Sequence, residues 1–205
     1  MKYTLLLLLV LLSLCSCTNN DYLVDGGVSD PHVNMSTYDY LKSNKHLDSL
    51  AILIDNAKMI DVVNAPSTTL FAPDNYTILK YIIAKRTLTG NTNYGINDIT
   101  QAELVPLLGG YIFNQILDRS KLVKEGKIYI AQNGEERRLS LEPVDAYSSQ
   151  LEKYPEYVYY TFKVGTWDPT NVPLVDDKKT VVRTSNLIST NGIIHVLQGS
   201  HTLGN

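Results

Sequence analysis

Cysteine is missing from the chain after residue 17; Cys15 and Cys17 are the only two. Its absence excludes a disulfide framework, thiol catalysis and thiolate-held zinc for everything that follows. Basic excess is missing too. With Lys2 set aside, 17 Lys and Arg face 21 Asp and Glu, a net of -4, whereas a nucleic-acid binder needs a cationic face to displace counterions from phosphates. The longest apolar run, Leu5 to Leu12, falls well short of the roughly 20 residues that cross a bilayer. No glycine loop suited to phosphate occurs, since Gly109-Gly110 is followed by Tyr111 rather than by lysine. Repeats, low-complexity stretches and a second Pro/Gly-rich linker are also absent. One domain is therefore the simplest division of 205 residues that are 44% hydrophobic and 19% charged.

What is present begins with an address. Residues 1–17 read MKYTLLLLLVLLSLCSC, a short positive start, an apolar stretch and small residues, as in a secretory signal peptide. Leu14-Cys15-Ser16-Cys17 resembles the bacterial lipobox, with an aliphatic residue three places before Cys17 and a small one just before it. The resemblance implies a signal peptide over 1–16, a lipid-modified Cys17, and anchorage at an outer membrane, because the Asp that retains some lipoproteins at the inner membrane is replaced by Thr18. Residues 17–32 then read as the lipidated cysteine and a polar, glycine-containing tether, and 33–205 as the folded domain.

The first half of that domain has helical period. Ser36 or Thr37 can cap a helix to Ser43. His46 to Ala57 aligns Leu47, Leu50, Ala51, Ile54 and Ala57 on one face. Thr68 to Ala72 is strand-like and stops at Pro73. Asp74 can cap a helix whose stripe is Ile78, Leu79, Ile82 and Ile83. Residues 89–98 are a polar loop. Thr100 with Glu103 has the spacing of a capping box ahead of Leu104, Leu107 and Leu108, and the helical pattern resumes from Tyr111 to Leu117 after the two glycines.

After Arg119 the period becomes two. Lys127 to Gln132 and Arg137 to Leu141 flank the turn signal Asn133-Gly134. Glu156 to Val164 sets Val158, Tyr160, Phe162 and Val164 on a core face and Tyr157, Tyr159, Thr161 and Lys163 on an exposed face. Thr180 to Arg183 and Ile193 to Leu197 make two more short strands. Helices followed by strands argue an α+β fold.

Two segments carry a family resemblance: Thr69-Leu70-Phe71-Ala72-Pro73-Asp74-Asn75, and Thr184 to Leu197, which contains Thr190-Asn191-Gly192-Ile193-Ile194-His195-Val196. They resemble the two signature segments of the fasciclin domain, and Leu107, Leu108, Tyr111 and Ile112 lie where that family has its central Tyr-His helix. The resemblance implies a helical layer packed on a twisted β-sandwich or wedge. It also implies an extracellular or surface-anchored interaction module rather than an enzyme, acting in adhesion or envelope assembly. Two positions associated with adhesion in the family differ here: Ile112 stands for the His, and Asn186-Leu187 for an Asp-Ile pair. The 135–183 region is longer than the family usually has.

The candidate site residues follow. Phe71, Pro73, Asn191, Gly192 and His195 read as structural signature residues, with Asn191-Gly192 a turn that uses positive φ. His195 reads as a strand histidine bonded to backbone. His32, His46, His195 and His201 have no metal-ligand spacing, and Gly199-Ser200-His201 is not a nucleophile elbow. Asp168, Asp176 and Asp177 read as a solvated acidic loop, and Glu135-Glu136-Arg137-Arg138 as a solvated charge run. Neither a metal nor a cofactor is expected. Tyrosine outnumbers phenylalanine 14 to 3, and Tyr147, Tyr154, Tyr157, Tyr159, Tyr160 and Trp167 crowd one stretch. Rigid amphipathic rings suit protein interfaces and sugar stacking, so Tyr157, Tyr159, Trp167 and Tyr111 are the candidate contacts for an envelope or surface protein, or alternatively a glycan.

Overall fold

The computed structural model describes residues 30–144, 154–169 and 176–204, and among these the elements follow local signals closely. Helix α1 (Thr37–Ser43) starts where the Ser36 hydroxyl accepts the Asp39 N–H at 3.1 Å. Helix α2 (Asp48–Ala57) buries Leu50, Ala51, Leu53, Ile54 and Ala57 and ends at Lys58 in the left-handed region, φ 58°. A single turn, α3 (Ile60–Val63), leads to strand β1 (Thr68–Ala72), buried at every position. Pro73 then stops the strand. The Asp74 carboxylate accepts the Thr77 N–H at 2.9 Å and opens α4 (Asn75–Thr89). Only Ile78 and Ile82 of its predicted stripe are buried; Leu79 and Ile83 face solvent at 47% and 50% exposure. Helix α5 (Gln101–Gly109) is capped by Thr100, whose hydroxyl accepts from Glu103 N at 3.3 Å. The reciprocal arm of the capping box is not made, because the Glu103 carboxylate is taken by the Tyr81 hydroxyl and the Lys85 ammonium.

The helix expected over Tyr111 to Leu117 is instead a short strand, β2 (Ile112–Phe113), antiparallel to β1. Gly109-Gly110 ends α5, and the Tyr111 carbonyl then accepts the Phe71 N–H at 2.9 Å, which draws the segment onto the sheet. The remaining strands are β3 (Lys127–Ile130), β4 (Glu136–Pro143), β5 (Glu156–Phe162), β6 (Lys178–Ile188) and β7 (Gly192–Leu197). They form one seven-stranded sheet in the order β2-β1-β7-β6-β5-β4-β3. Strands β1 and β7 are parallel and every other pair is antiparallel. The sheet is nearly barrel-shaped: just past β3, the Gln132 N–H reaches the Ile112 carbonyl at 2.8 Å. Strand β6 runs further than its Thr180 to Arg183 signal, bent by register shifts between Val182 and Thr184 and between Thr184 and Leu187.

The turn before β7 corrects one expectation. Gly192 is not in the left-handed region; it lies opposite Thr68 in the parallel ladder, and an added Cβ would sit 1.8 Å from the Thr68 carbonyl oxygen. Glycine is required by close approach, not by φ. Asn191 acts through its side chain, accepting the Thr37 N–H at 2.8 Å and donating to the Val63 carbonyl at 3.0 Å. It ties α1 and α3 to the start of β7. Gly134, at φ 85°, does supply the left-handed residue of the β3–β4 hairpin. The core joins both halves around Phe71, whose ring packs at 5.6 Å on Phe113, 5.1 Å on Tyr160 and 4.7 Å on His195.

Candidate functional site

The polar groups noted in the sequence separate into those consumed by the fold and those left open. His195 belongs to the first set. Strand β7 buries it completely, Nε2 bonds the Leu117 carbonyl at 2.9 Å, and burial lowers its pKa to about 4. His201 is buried beneath the Phe162 ring, stacked at 5.5 Å. Its Nε2 shares a hydrogen bond with the Tyr111 hydroxyl at 2.6 Å and its Nδ1 with Thr180 Oγ1 at 3.1 Å. Burial, with Lys80 and Arg137 nearby, brings its pKa to about 3. Tyr111 is therefore not a contact residue. It is buried, and its hydroxyl also accepts the Gly204 N–H at 2.9 Å, which fixes the C-terminal segment. Phe71 and Pro73 are also buried.

The charge run at the β3–β4 hairpin is only partly solvated: Glu135 is exposed, but Arg137 is not. Alternation along β4 turns Arg137 inward, opposite Phe162, and Arg138 outward. Arg137 is 4% exposed. Its Nε donates to the Tyr160 hydroxyl at 2.8 Å, Nη1 to the Glu136 carbonyl at 2.8 Å, and Nη2 pairs with Glu135 at 2.5 Å. The guanidinium lies 4.0 Å from the Phe162 ring centroid. The Tyr160 hydroxyl passes the bond on to the Gly110 carbonyl at 2.6 Å. A buried guanidinium is tolerable only when its donors are met in this way. Hydropathy reads arginine as surface, and only the cross-strand partner would have given it away.

The acidic loop is likewise built in. The Asp177 carboxylate accepts the Val164 N–H at 3.0 Å and the Asp168 N–H at 2.9 Å, and lies 3.9 Å from Arg138. Asp168 Oδ2 accepts from the N–H groups of Asp176 and Asp177. Trp167 is half-buried on this loop. Arg138 sits 4.5 Å from its ring and Lys163 5.8 Å, while its indole N–H donates to Glu136 at 2.9 Å. These contacts hold the indole in a fixed position on the loop. The loop also accounts for two other corrections. Thr161, the cross-strand neighbour of Arg138, is buried beneath this assembly although it points outward. Val164 lies past the last paired residue of β5 and is 44% exposed.

Tyr157 and Tyr159 remain. Both point outward from β5; Tyr157 is 40% exposed and Tyr159 half-buried. Lys179 of β6 places its ammonium 4.3 Å over the Tyr159 ring and is held there by Glu142 at 2.5 Å. Together with Val144, Pro155, Gln198 and Ser200 these side chains line a cleft of about 530 Å³. Lys179 and Ser200 also border a larger cleft of about 1300 Å³, whose lining includes Arg137, Phe162 and His201. Among the described residues that line it, the smaller cleft offers two phenol rings, one cation, an amide and a hydroxyl. Among the described residues no cluster of three or more His, Cys, Asp or Glu could hold a metal ion. Lys179 and Gln198 were not visible as site residues in the sequence, because only the β5–β6 pairing and the bend after β7 bring them beside the tyrosines. Cys17 and Tyr147 lie outside the described residues.

No protein-family model matches the chain, and no curated protein matches it. Among solved structures it is similar to a FAS1 domain pair from the insect cell adhesion molecule fasciclin I, with 16% identity and a TM-score of 0.47. The match covers 77% of this chain and 44% of that one, so this chain spans less than half the length of the structure it matches.

Proposed function

We propose that this chain is a non-enzymatic binding module, held at a bacterial outer membrane through a lipid on Cys17, that contacts an envelope or cell-surface protein through its Tyr157–Tyr159 face. The observation that carries this reading is the contrast between consumed and available groups. His195, His201, Arg137 and Asp177 are buried and bonded within the fold, while Tyr157 and Tyr159 stand outward on a strand paired on both sides. Rigid aromatic rings lose little entropy on contact, and a cation already stacked on one of them adds an electrostatic handle. The signature-like segments at 69–75 and 184–197 support the adhesion-type role. A glycan is the second reading. It is favoured by Gln198 and Ser200 beside the tyrosines, since an amide and a hydroxyl next to ring faces suit sugar hydroxyls and C–H groups.

The test replaces Tyr157 and Tyr159 with Ser in the full chain and measures retention of detergent-solubilised envelope proteins and of immobilised glycans beside a thermal melt. The expected result is loss of retention with a fall in melting temperature of only a few degrees. Retention that persists, or a melt lowered by more than about 10 °C, the equivalent of roughly 3–5 kcal/mol in a domain this size, would show the rings to be structural.

A further inference from the structure

We infer that β3 is a self-pairing edge through which two copies of this chain join their sheets around a two-fold axis. The inference is independent of the Tyr157–Tyr159 reading. The ladder ends at β3, which pairs only with β4. At the opposite end of the sheet β2 is buried. Among the described residues the backbone of Lys127 to Ile130 has no hydrogen-bond partner on its outer side; the nearest contact of that kind comes later, at Gln132. Ile128 and Ile130 share one face of the strand and are 47% and 57% exposed. An edge with unpaired N–H and C=O groups and exposed isoleucines is a template for another strand. Natural edges usually block this with charges, proline or a bulge; β3 has neither proline nor bulge, and its single charge, Lys127, must meet an opposite charge for the edge to pair.

The sequence of the edge matches itself. An antiparallel pairing centred on Tyr129 sets Ile128 against Ile130 of the second copy, and by symmetry Ile130 against its Ile128. All four isoleucines then meet on one face, and the two Tyr129 rings meet on the other. Lys127 falls beside Ala131 of the second copy. The small alanine leaves room toward Glu135 of that copy, whose backbone bonds Ala131 at 2.9 Å and whose side chain is 59% exposed. The charge match occurs twice, and no like charges oppose across the pair. A closed, isologous dimer follows from this register, because each edge is used up by the other.

Five residues a side, Lys127 to Ala131, bury less than the roughly 1,200 Å² of a standard stable interface, so the expected dissociation constant lies at about 10 μM to 1 mM. The experiment is sedimentation equilibrium of the full chain in density-matched detergent across that range, with hydrogen exchange at both ends of it. The mass is expected to rise to twice the monomer as the amides of Lys127 to Ile130 gain protection. Ile128→Lys with Ile130→Lys should weaken association at least about 30-fold without lowering the melt. Leu88→Lys, which removes an 80%-exposed leucine elsewhere, should associate like the parent. A monomer throughout, association unaffected by the isoleucine changes, equal weakening by Leu88→Lys, or a mass that climbs past the dimer would each overturn the inference.

Discussion

Gly192→Ala adds one methyl group where β1 and β7 run side by side. Its carbon would lie 1.8 Å from the Thr68 carbonyl oxygen and 2.8 Å from the carbonyl carbon, and real contacts of this kind essentially never fall below 3.0 Å. The strands must therefore separate by at least 1.2 Å at the first rung of a five-rung parallel ladder, Thr68–Gly192 to Ala72–Val196. Both strands are fully buried, so neither can swing into solvent. Overpacking of a core costs about 1–3 kcal/mol. A buried backbone bond broken at the first rung adds about 1–3 kcal/mol. The sum, about 2–6 kcal/mol, corresponds to a fall of roughly 4–24 °C in melting temperature for a domain of this size. Urea unfolding followed by circular dichroism gives the value directly. Gly134→Ala is the control, because Gly134 has φ 85° and nothing within 4 Å of an added Cβ. It isolates left-handed strain at about 1–2 kcal/mol. If Gly192→Ala costs no more than Gly134→Ala, close approach is not the reason for the glycine and the reasoning fails.

The two buried histidines make stability depend on pH. Their folded pKa values, about 4 for His195 and about 3 for His201, lie below the unfolded value of 6.5, so unfolding takes up protons. Their contribution is complete above pH 6.5 and is lost as pH falls, at up to about 1.4 kcal/mol per pH unit per histidine between pH 6 and 5. His201→Gln should roughly halve that slope in urea midpoints; a stability that is flat from pH 7 to 5 would contradict the buried neutral rings. Cys17→Ala should leave the chain unprocessed or release it from the membrane fraction, read by fractionation and mass spectrometry; a mature, membrane-bound Cys17→Ala chain would remove the lipid from the account.

What could be read from residues alone was what neighbours in sequence decide. Thr68 to Ala72 as a strand, its stop at Pro73, and the caps at Ser36, Asp74 and Thr100 all depend on a few adjacent side chains, and all are present. Errors arose wherever a distant strand decided. Tyr111 and Ile112 have helical spacing with Leu107 and Leu108, yet β1 pairs with Ile112 and Phe113. Arg137 looks like its neighbour Arg138, and only its place opposite Phe162 makes it a core residue. Leu79 and Ile83 satisfy the period of an apolar stripe, but the core meets a narrower strip of α4. The site divides in the same way. The outward placement of Tyr157 and Tyr159 follows from alternation along one strand. The burial of Tyr111 and the pinning of the Trp167 indole are not legible, because His201 and Glu136, which take their hydroxyl and N–H, are far away in the chain.

The parallel pairing of β1 with β7 also sets when the protein can fold. Strand β1 sits between the two-residue β2 and the last strand of the chain, so until residues 192–197 have left the ribosome it has almost no ladder to join. The contacts that complete the sheet are among the longest-range the chain can make, and closing so large a loop comes before any of its stabilisation is realised, which slows folding. Asn191 adds to the delay, since α1 and α3 are tied to β7 through its amide. With this topology the β1–β7 ladder, and the core around Phe71 that depends on it, form only after β7 is in place, so completion of the sheet is a late step of folding.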